Sequence, residues 1–173
     1  MALLRDWGTT FGFDRLETDF ALVPRVQKIL RDGKWTVTAA IHRDMESDTA
    51  TIIGLWPELK NEAWGIACDI GSTTIAMHLV SLLSGRVIAS SGTPNPQIRF
   101  GEDLMSRVSY VMMNPGGDER MTQAVREAIN ELIGKVCAEA EVSRTDILDL
   151  VFVGNPVMRH LFLGIDPTEL GGA

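Results

Sequence analysis

The sequence predicts an α/β protein in two parts: a small α+β module over residues 1–60 and a larger α/β lobe over residues 61–173. Three observations predict this division. Short segments in both parts alternate apolar and polar residues with period two, as half-buried strands do. Longer segments carry apolar residues at helical spacing. Between the two parts lies a polar stretch that opens with a helix breaker, Pro57-Glu58-Leu59-Lys60-Asn61-Glu62.

The small module is predicted to be a helix followed by a hairpin, after an irregular start. The helix should begin near Leu22, so that Pro24 falls in its first turn, where proline is tolerated. Gly33 is expected to end it. Residues 34–41 and 49–55 then alternate with period two on either side of a polar turn, which predicts two strands.

The larger lobe is predicted to open with three strands joined by tight turns. Its remaining elements are two amphipathic helices, a fourth strand and a last helix, with proline and glycine at the breaks between them. The predicted elements are, in order, strands 64–70, 74–82 and 86–92, helices 102–113 and 119–141, strand 148–153 and a helix that ends at Leu163.

The first strand of the lobe runs into Asp69-Ile70-Gly71-Ser72-Thr73-Thr74, a sequence suited to holding phosphate. Gly71 has no Cβ, so the backbone can bend sharply and its amides can approach a phosphate closely. Ser72, Thr73 and Thr74 add hydroxyl donors, and Asp69 can hold magnesium directly or through water. The alternative is an ordinary hairpin turn, in which Asp69 caps backbone amides and Gly71 supplies a left-handed conformation. We favour the phosphate loop because of its place in the order of elements as well as its residues.

Three strands in a meander, followed by helices and a fourth strand, form the opening of a ribonuclease H-like lobe. The lobe carries a set of short motifs at defined spacing: Gly65-Ile66-Ala67-Cys68-Asp69-Ile70-Gly71-Ser72-Thr73-Thr74, Asn95-Pro96-Gln97, Gly101-Glu102-Asp103, Arg107, Gly154-Asn155, Met158, His160 and Gly164-Ile165-Asp166-Pro167. Through these residues the sequence from about residue 64 to residue 173 resembles the actin-like ATPase domain of the reductive activators of corrinoid proteins, within the superfamily of actin, sugar kinases and heat-shock chaperones. The upstream module looks like the middle domain of that family.

The resemblance implies an ATP-dependent protein that returns an inactive cob(II)amide to cob(I)amide in a methyl-transferring corrinoid protein, its partner. The electron would come through an iron-sulfur domain that this chain lacks, and the second ATPase lobe is absent too. We therefore expect a fragment that is inactive by itself and binds Mg-ATP weakly or not at all. The full-length protein would couple ATP hydrolysis to electron transfer, and a homodimer is an open alternative. Two other functions remain open: a small-molecule kinase of the same superfold and a non-catalytic interaction module.

The resemblance also implies roles for single residues. Asp69 would organise magnesium, and the loop from Gly71 to Thr74 would meet the β- and γ-phosphates. Gly154 and Asn155 are further candidates for cofactor binding. The family commonly has hydroxyl residues where this chain has Pro156-Val157, so the alternative is that Asn155 only caps the last helix.

Glu102, Asp103 and Arg107 lie at the start of a predicted helix and have two interpretations. In the first they are a solvated helix start, where acidic residues favour the helix dipole and Asp103 pairs with Arg107 four residues on. In the second they serve domain contact or nucleotide closure. The methionines that follow, at positions 105, 112 and 113, are interpreted as core residues.

Composition limits the partners. The formal net charge of −7, without a long basic run, argues against nucleic acid or an anionic membrane surface. Cys68 and Cys137 lie in apolar surroundings, as reduced thiols of a cytoplasmic protein do, and two cysteines are too few for an iron-sulfur cluster. The three histidines lack partners at metal-ligand spacing, so a structural or solvent-facing role is expected for each. No residue is assigned a catalytic role, and Asp69 is the metal-ligand candidate. No membrane span or export signal is expected.

Overall fold

The computed structural model describes residues 15–44, 46 and 49–171. The chain forms two compact units, Met1–Ala63 and Trp64–Ala173. The division between them lies three residues after the predicted boundary at residue 60.

The described residues of the first unit form a three-stranded sheet and one α-helix. Strands β1 (Arg15–Thr18), β2 (Thr38–Arg43) and β3 (Thr49–Trp56) lie in the order β1-β3-β2, with β1 parallel and β2 antiparallel to β3. Helix α1 spans Val23–Asp32 and carries Pro24 in its first turn, as predicted. Strand β1 contradicts the irregular start expected there, while residues 1–14 lie outside the described part of the chain.

The turn after α1 differs from the prediction. Gly33 ends the helix, but the left-handed conformations fall on the next two residues, Lys34 with φ 50° and Trp35 with φ 69°. The Trp35 amide donates to Leu30 O at 2.7 Å, which folds the chain back on the helix end. The predicted strand at residues 34–41 therefore begins only at Thr38. Period-two alternation could not reveal this, because left-handed conformations are uncommon for residues other than glycine and asparagine.

The second unit is a mixed four-stranded sheet with helices packed on it. Strands β4 (Trp64–Ile70), β5 (Thr74–Ser81) and β6 (Val87–Pro94) form an antiparallel meander. Strand β7 (Ile147–Val153) pairs in parallel with β4, so that the sheet order is β6-β5-β4-β7. The helices are α2 (Leu104–Met113), α3 (Gly117–Glu139) and α4 (Pro156–Leu163). These elements confirm the predicted order of strands and helices in the lobe.

The main core of this unit lies between α3 and the sheet. Apolar residues of α3 at helical spacing meet the alternate residues of β4 and β5 that face the same side of the sheet. The buried residues of this core are Ile66, Cys68, Ile70, Ile75, Met77, Leu79, Ala89, Val125, Ile129, Leu132, Val136 and Met158. Strand β7 forms an edge of the sheet, where Leu150, Val151 and Val153 are about half exposed. Among the described helices, none combines the length and apolarity that crossing a bilayer requires.

Candidate functional site

Two turns of the second unit lie side by side, where the neighbouring strands β4 and β7 end. Strands β4 and β7 are parallel, with Asp69 opposite Val153, so the turns after their carboxyl ends leave the sheet together. The backbones approach closely there, since a Cβ on Gly154 would lie 3.0 Å from Ile70 O. The structure therefore brings the Gly71 loop and the Gly154-Asn155 turn into contact, although about eighty residues separate them.

Gly71 is required by close approach. A Cβ built at this position would lie 2.5 Å from Thr74 O, well inside van der Waals contact. Gly71 is not one of the glycines with a positive φ, which are Gly85, Gly116 and Gly164. The alternative of a left-handed Gly71 is therefore wrong, and its function in the loop is to let the backbone turn tightly upon itself.

Three successive carbonyls of this loop accept hydrogen bonds from Asn95 and Arg107. The Asn95 side chain donates from Nδ2 to Gly71 O at 2.8 Å, and the Asn95 amide donates to Thr73 O at 2.8 Å. Arg107 donates from Nη2 to Ser72 O at 2.5 Å. In a trans peptide the carbonyl and the following amide point in opposite directions. The amides of Ser72 and Thr73 are therefore turned away from Asn95 and Arg107.

The polar side chains of the loop face outward. Asp69, Thr73 and Thr74 are exposed and Ser72 is half-buried. Among the described residues no three acidic, histidine or cysteine side chains group as a metal site would need. Proteins that bind phosphorylated substrates nevertheless usually hold Mg²⁺ with only one or two carboxylates, because the ion keeps several waters and takes phosphate oxygens as ligands. Asp69 fits that pattern.

The second turn is built as a helix cap. Asn155 Oδ1 accepts from the Met158 amide at 3.0 Å, and Pro156 occupies the first turn of α4. Asn155 therefore caps α4, as the sequence suggested. The Asn155 side-chain oxygen is used by this cap. Pro156 and Val157 have no hydroxyl groups, and Val157 is buried.

Arg107 is the most unexpected residue near the site. Its side chain is 0% exposed, which contradicts the interpretation as a solvated pair with Asp103, one of the two that the sequence left open. Asp103 instead caps α2, accepting from the Ser106 amide at 2.7 Å and from Ser106 Oγ at 2.8 Å, which lowers the pKa of its carboxyl. Burial lowers the pKa of the Arg107 guanidinium, and the Asp103 charge partly opposes this. The i,i+4 spacing of Asp103 and Arg107 does not show whether Arg107 faces solvent or the interior. The sequence alone therefore could not decide between the two interpretations.

Asn95 and Gln97 are buried polar residues that sequence reasoning noticed only as part of a family motif. Asn95 Oδ1 accepts from the Gln97 amide at 2.9 Å and caps the 3-10 turn Pro96–Phe100. Gln97 donates from Nε2 to Met121 O at 3.0 Å, while its buried Oε1 has no partner within the described residues. Turn residues flanked by prolines are usually exposed, so burial of both was not expected.

Cys68 and Cys137 are buried free thiols, as the sequence suggested. Burial, with a smaller contribution from the Asp69 charge, raises the pKa of the Cys68 thiol to about 11. Met105, Met112 and Met113 are exposed, so their assignment to the core is wrong. His78 shares a hydrogen bond with Ser90 Oγ and His160 with Pro156 O, which gives both a structural role.

A concavity of about 350 Å³ lies elsewhere in the unit. It lies along α3 and is lined by residues that include Asp118, Arg126 and Asn130, none of which belongs to the two turns. The candidate site is therefore defined by the hydrogen bonds of the loop and not by this concavity.

The sheet and the two turns define an α/β domain with a hydroxyl-rich glycine loop at the carboxyl edge of its central strand. Comparison with known families identifies it further. A model described as the RACo middle region matches residues 64–173, and one described as the RACo linker region matches residues 1–62. The chain belongs to the family of reductive activators of corrinoid proteins. The description "middle" thus falls on the larger unit, whereas the resemblance had attached it to the small module.

Two relatives illustrate the similarity. The chain is 36% identical over 114 residues to the corrinoid activation enzyme RamQ of Eubacterium limosum, a match that covers 66% of this chain and 19% of RamQ. A solved structure described as a reductive activator for corrinoid, iron-sulfur protein matches with 34% identity and a TM-score of 0.80, over 96% of this chain and 26% of that one. The chain therefore spans about a fifth to a quarter of the length of these relatives.

Proposed function

We propose that this chain supplies the phosphate-binding part of an ATP-dependent reductive activator of a corrinoid protein. Its larger unit would be the first, ribonuclease H-like half of an actin-like ATPase domain. The order β6-β5-β4-β7, with helices after the meander, is compatible with that fold. The activity needs parts that the chain does not contain, so the proposal concerns the full-length protein.

One observation carries the proposal: the carbonyls of Gly71, Ser72 and Thr73 are all held by Asn95 and Arg107. The amides of Ser72 and Thr73 are thereby turned away from these two side chains. The loop also carries three hydroxyl side chains. Converging amides and hydroxyls are what a phosphate group requires. The β- and γ-phosphates of ATP would bind at Gly71, Ser72, Thr73 and Thr74, with Gly154 and Asn155 at the neighbouring turn.

Magnesium would be held by Asp69 and by the phosphates. The exposed carboxylate and the acidic net charge of −7 make a cation necessary, because a triphosphate would otherwise be repelled. When bound, magnesium would neutralise the negative charge that develops on the β- and γ-phosphate oxygens during hydrolysis.

The reaction we propose transfers one electron to cob(II)amide and gives cob(I)amide, driven by hydrolysis of ATP to ADP and phosphate. The electron would enter from an iron-sulfur domain outside this chain. Cys68 and Cys137 are buried in the described unit, and a cluster needs four ligands. The partner would be a corrinoid protein that transfers methyl groups. A cytoplasmic location and a homodimer of the full-length protein are further parts of the proposal.

The test is cob(II)amide reduction by the full-length protein, followed by visible absorbance with Mg-ATP and a corrinoid partner. Asp69→Ala should abolish the ATP-dependent rate. Asp149→Ala is the matched control, because Asp149 is also an exposed strand aspartate but lies opposite Gly65, near the other end of the sheet. This control should reduce cobalt as fast as the wild type.

Two outcomes would contradict the proposal. If the wild type binds Mg-ATP but does not reduce cobalt, the activator function is wrong and phosphoryl transfer to a small molecule becomes the leading alternative. If Asp69→Ala and Asp149→Ala are equally active, the reaction can stand but the magnesium role of Asp69 does not.

A further inference from the structure

The Arg107 guanidinium joins three separate parts of the second unit. It donates from Nη2 to Ser72 O in the loop at 2.5 Å and from Nε to Gly101 O, just before α2, at 2.9 Å. Its Nη1 donates to the sulfur of Met158 in α4 at 3.1 Å. The side chain is completely buried.

A charge in such a place is unfavourable unless hydrogen bonds or an opposite charge compensate for its desolvation. Removing a guanidinium from water carries a large desolvation penalty, and its described hydrogen-bond partners are two carbonyls and a sulfur, with no carboxylate among them. An apolar side chain of similar length would fill the space without that penalty. Only the rigid fork of a guanidinium, however, can donate to Ser72 O and Gly101 O at once.

The position of Gly101 makes this fork possible. A Cβ on Gly101 would lie 2.7 Å from the Arg107 amide nitrogen, so the chain before α2 passes unusually close to the helix. That approach brings the Gly101 carbonyl within reach of Nε. The hydrogen bond from Nε to Gly101 O thereby fixes the orientation of the guanidinium, and Nη2 binds Ser72 O of the loop.

We propose that Arg107 is a positioning residue for the phosphates of the nucleotide, acting through the Ser72–Thr73 peptide group. By binding Ser72 O it turns the Thr73 amide to the opposite side of the loop, toward the proposed β- and γ-phosphates. Its positive charge also polarises this peptide and strengthens the amide as a donor. The proposal rests on the function proposed above and assigns Arg107 no contact with the nucleotide.

Two variants and one control test this role in the full-length protein. Arg107→Met keeps the length of the side chain and removes every donor. Arg107→Lys keeps the charge, but a single ammonium cannot reproduce the planar fork. Arg126→Lys is the control, since Arg126 also donates from Nε to a backbone carbonyl, Phe162 O at 2.9 Å, but lies away from both turns.

The measurement is the dissociation constant of Mg-ATP and of AMP, by equilibrium dialysis. AMP lacks the β- and γ-phosphates, so the ratio of its dissociation constant to that of Mg-ATP reports on the binding of these two phosphates and their magnesium. We expect this ratio to fall by about tenfold or more in Arg107→Met, by less in Arg107→Lys, and to stay unchanged in Arg126→Lys.

Each other outcome overturns the proposal. If both nucleotides weaken equally, Arg107 supports the fold in general and does not position the phosphates. If the wild type binds Mg-ATP and both variants match it, the role is wrong while the proposed function stands. If the wild type does not bind Mg-ATP, the proposed function itself fails. Should Arg107→Met not fold, Arg107→Lys gives the same comparison.

Discussion

The sulfur of Met158 accepts a hydrogen bond from Arg107 Nη1 at 3.1 Å, across 51 residues of sequence. Because the same guanidinium binds Ser72 O, the loop after β4 and the helix after β7 share one buried cation. The two turns of the candidate site are thus connected twice, by this cation and by the close approach of Gly154 to Ile70 O. Changes in α4 are therefore expected to reach the loop.

Gly71→Ala should destabilise the protein and disturb the loop. The added Cβ would lie 2.5 Å from Thr74 O, so the backbone must shift, which typically costs about 1–3 kcal/mol in the free energy of unfolding. Gly134→Ala is the matched control. It lies inside α3 with its nearest atom 3.9 Å away, and alanine there should stabilise by about 0.5–1 kcal/mol. Urea unfolding measures both, and equal effects would contradict this account of Gly71.

Asn155→Ala should cost about 1 kcal/mol of stability, because the Met158 amide loses its capping acceptor. Asn155→Asp keeps an acceptor and adds a negative charge near the helix N-terminus, so its stability should equal or exceed that of the wild type. Thermal unfolding distinguishes the two. If aspartate destabilises as much as alanine, the amide group of Asn155 has a function other than capping.

Thr122→Val should destabilise by about 1 kcal/mol. Thr122 Oγ1 donates to Leu161 O at 2.6 Å, and this carbonyl belongs to the last turn of α4, where helical partners are lacking. Thr122→Ser retains the hydroxyl and should lose less. Denaturant unfolding of the two variants tests this, and a fully stable Thr122→Val would show that the hydrogen bond contributes little.

Stability should fall as the pH rises from about 9 to about 11. In the folded state the Cys68 thiol has a pKa near 11, whereas its ordinary value is 9.0, so the unfolded chain releases the proton first. The loss should be on the order of 2 kcal/mol by pH 11 and absent below pH 8. Urea unfolding across this range, compared with Cys68→Ala, isolates the thiol. An identical slope in the variant would assign the effect to other groups.

Much of the second unit could be predicted because its patterns are local. Period-two alternation and apolar stripes located β4 to β7 and the three helices within a few residues. In the first unit, β1 was missed because Arg15–Thr18 is short and polar, and its pairing with β3 is a tertiary effect. The strand after α1 was placed too early because Lys34 and Trp35 adopt left-handed conformations that alternation does not report.

The candidate site was predicted only in part, for a different reason. The loop residues and the cap at Asn155 are readable from local chemistry. The roles of Asn95 and Arg107 cannot be read in this way, because both are buried and bind residues that are distant in the sequence. A charged residue at i,i+4 from an aspartate looks like a surface pair, and only its place in the packed unit shows that it faces inward.

The parallel pairing of β4 with β7 has a consequence for the order of folding. The meander β4-β5-β6 closes through short turns, whereas β7 must return across some seventy residues, and long closures are slow. We therefore expect the Gly71 hairpin to form early and its neighbour at Gly154 to arrive in a later step. Ratios of kinetic to equilibrium effects should be higher for variants in β5 than for variants in β7. During synthesis on the ribosome, a chain whose β7 has not yet emerged would then contain the Gly71 loop without the neighbouring turn at Gly154.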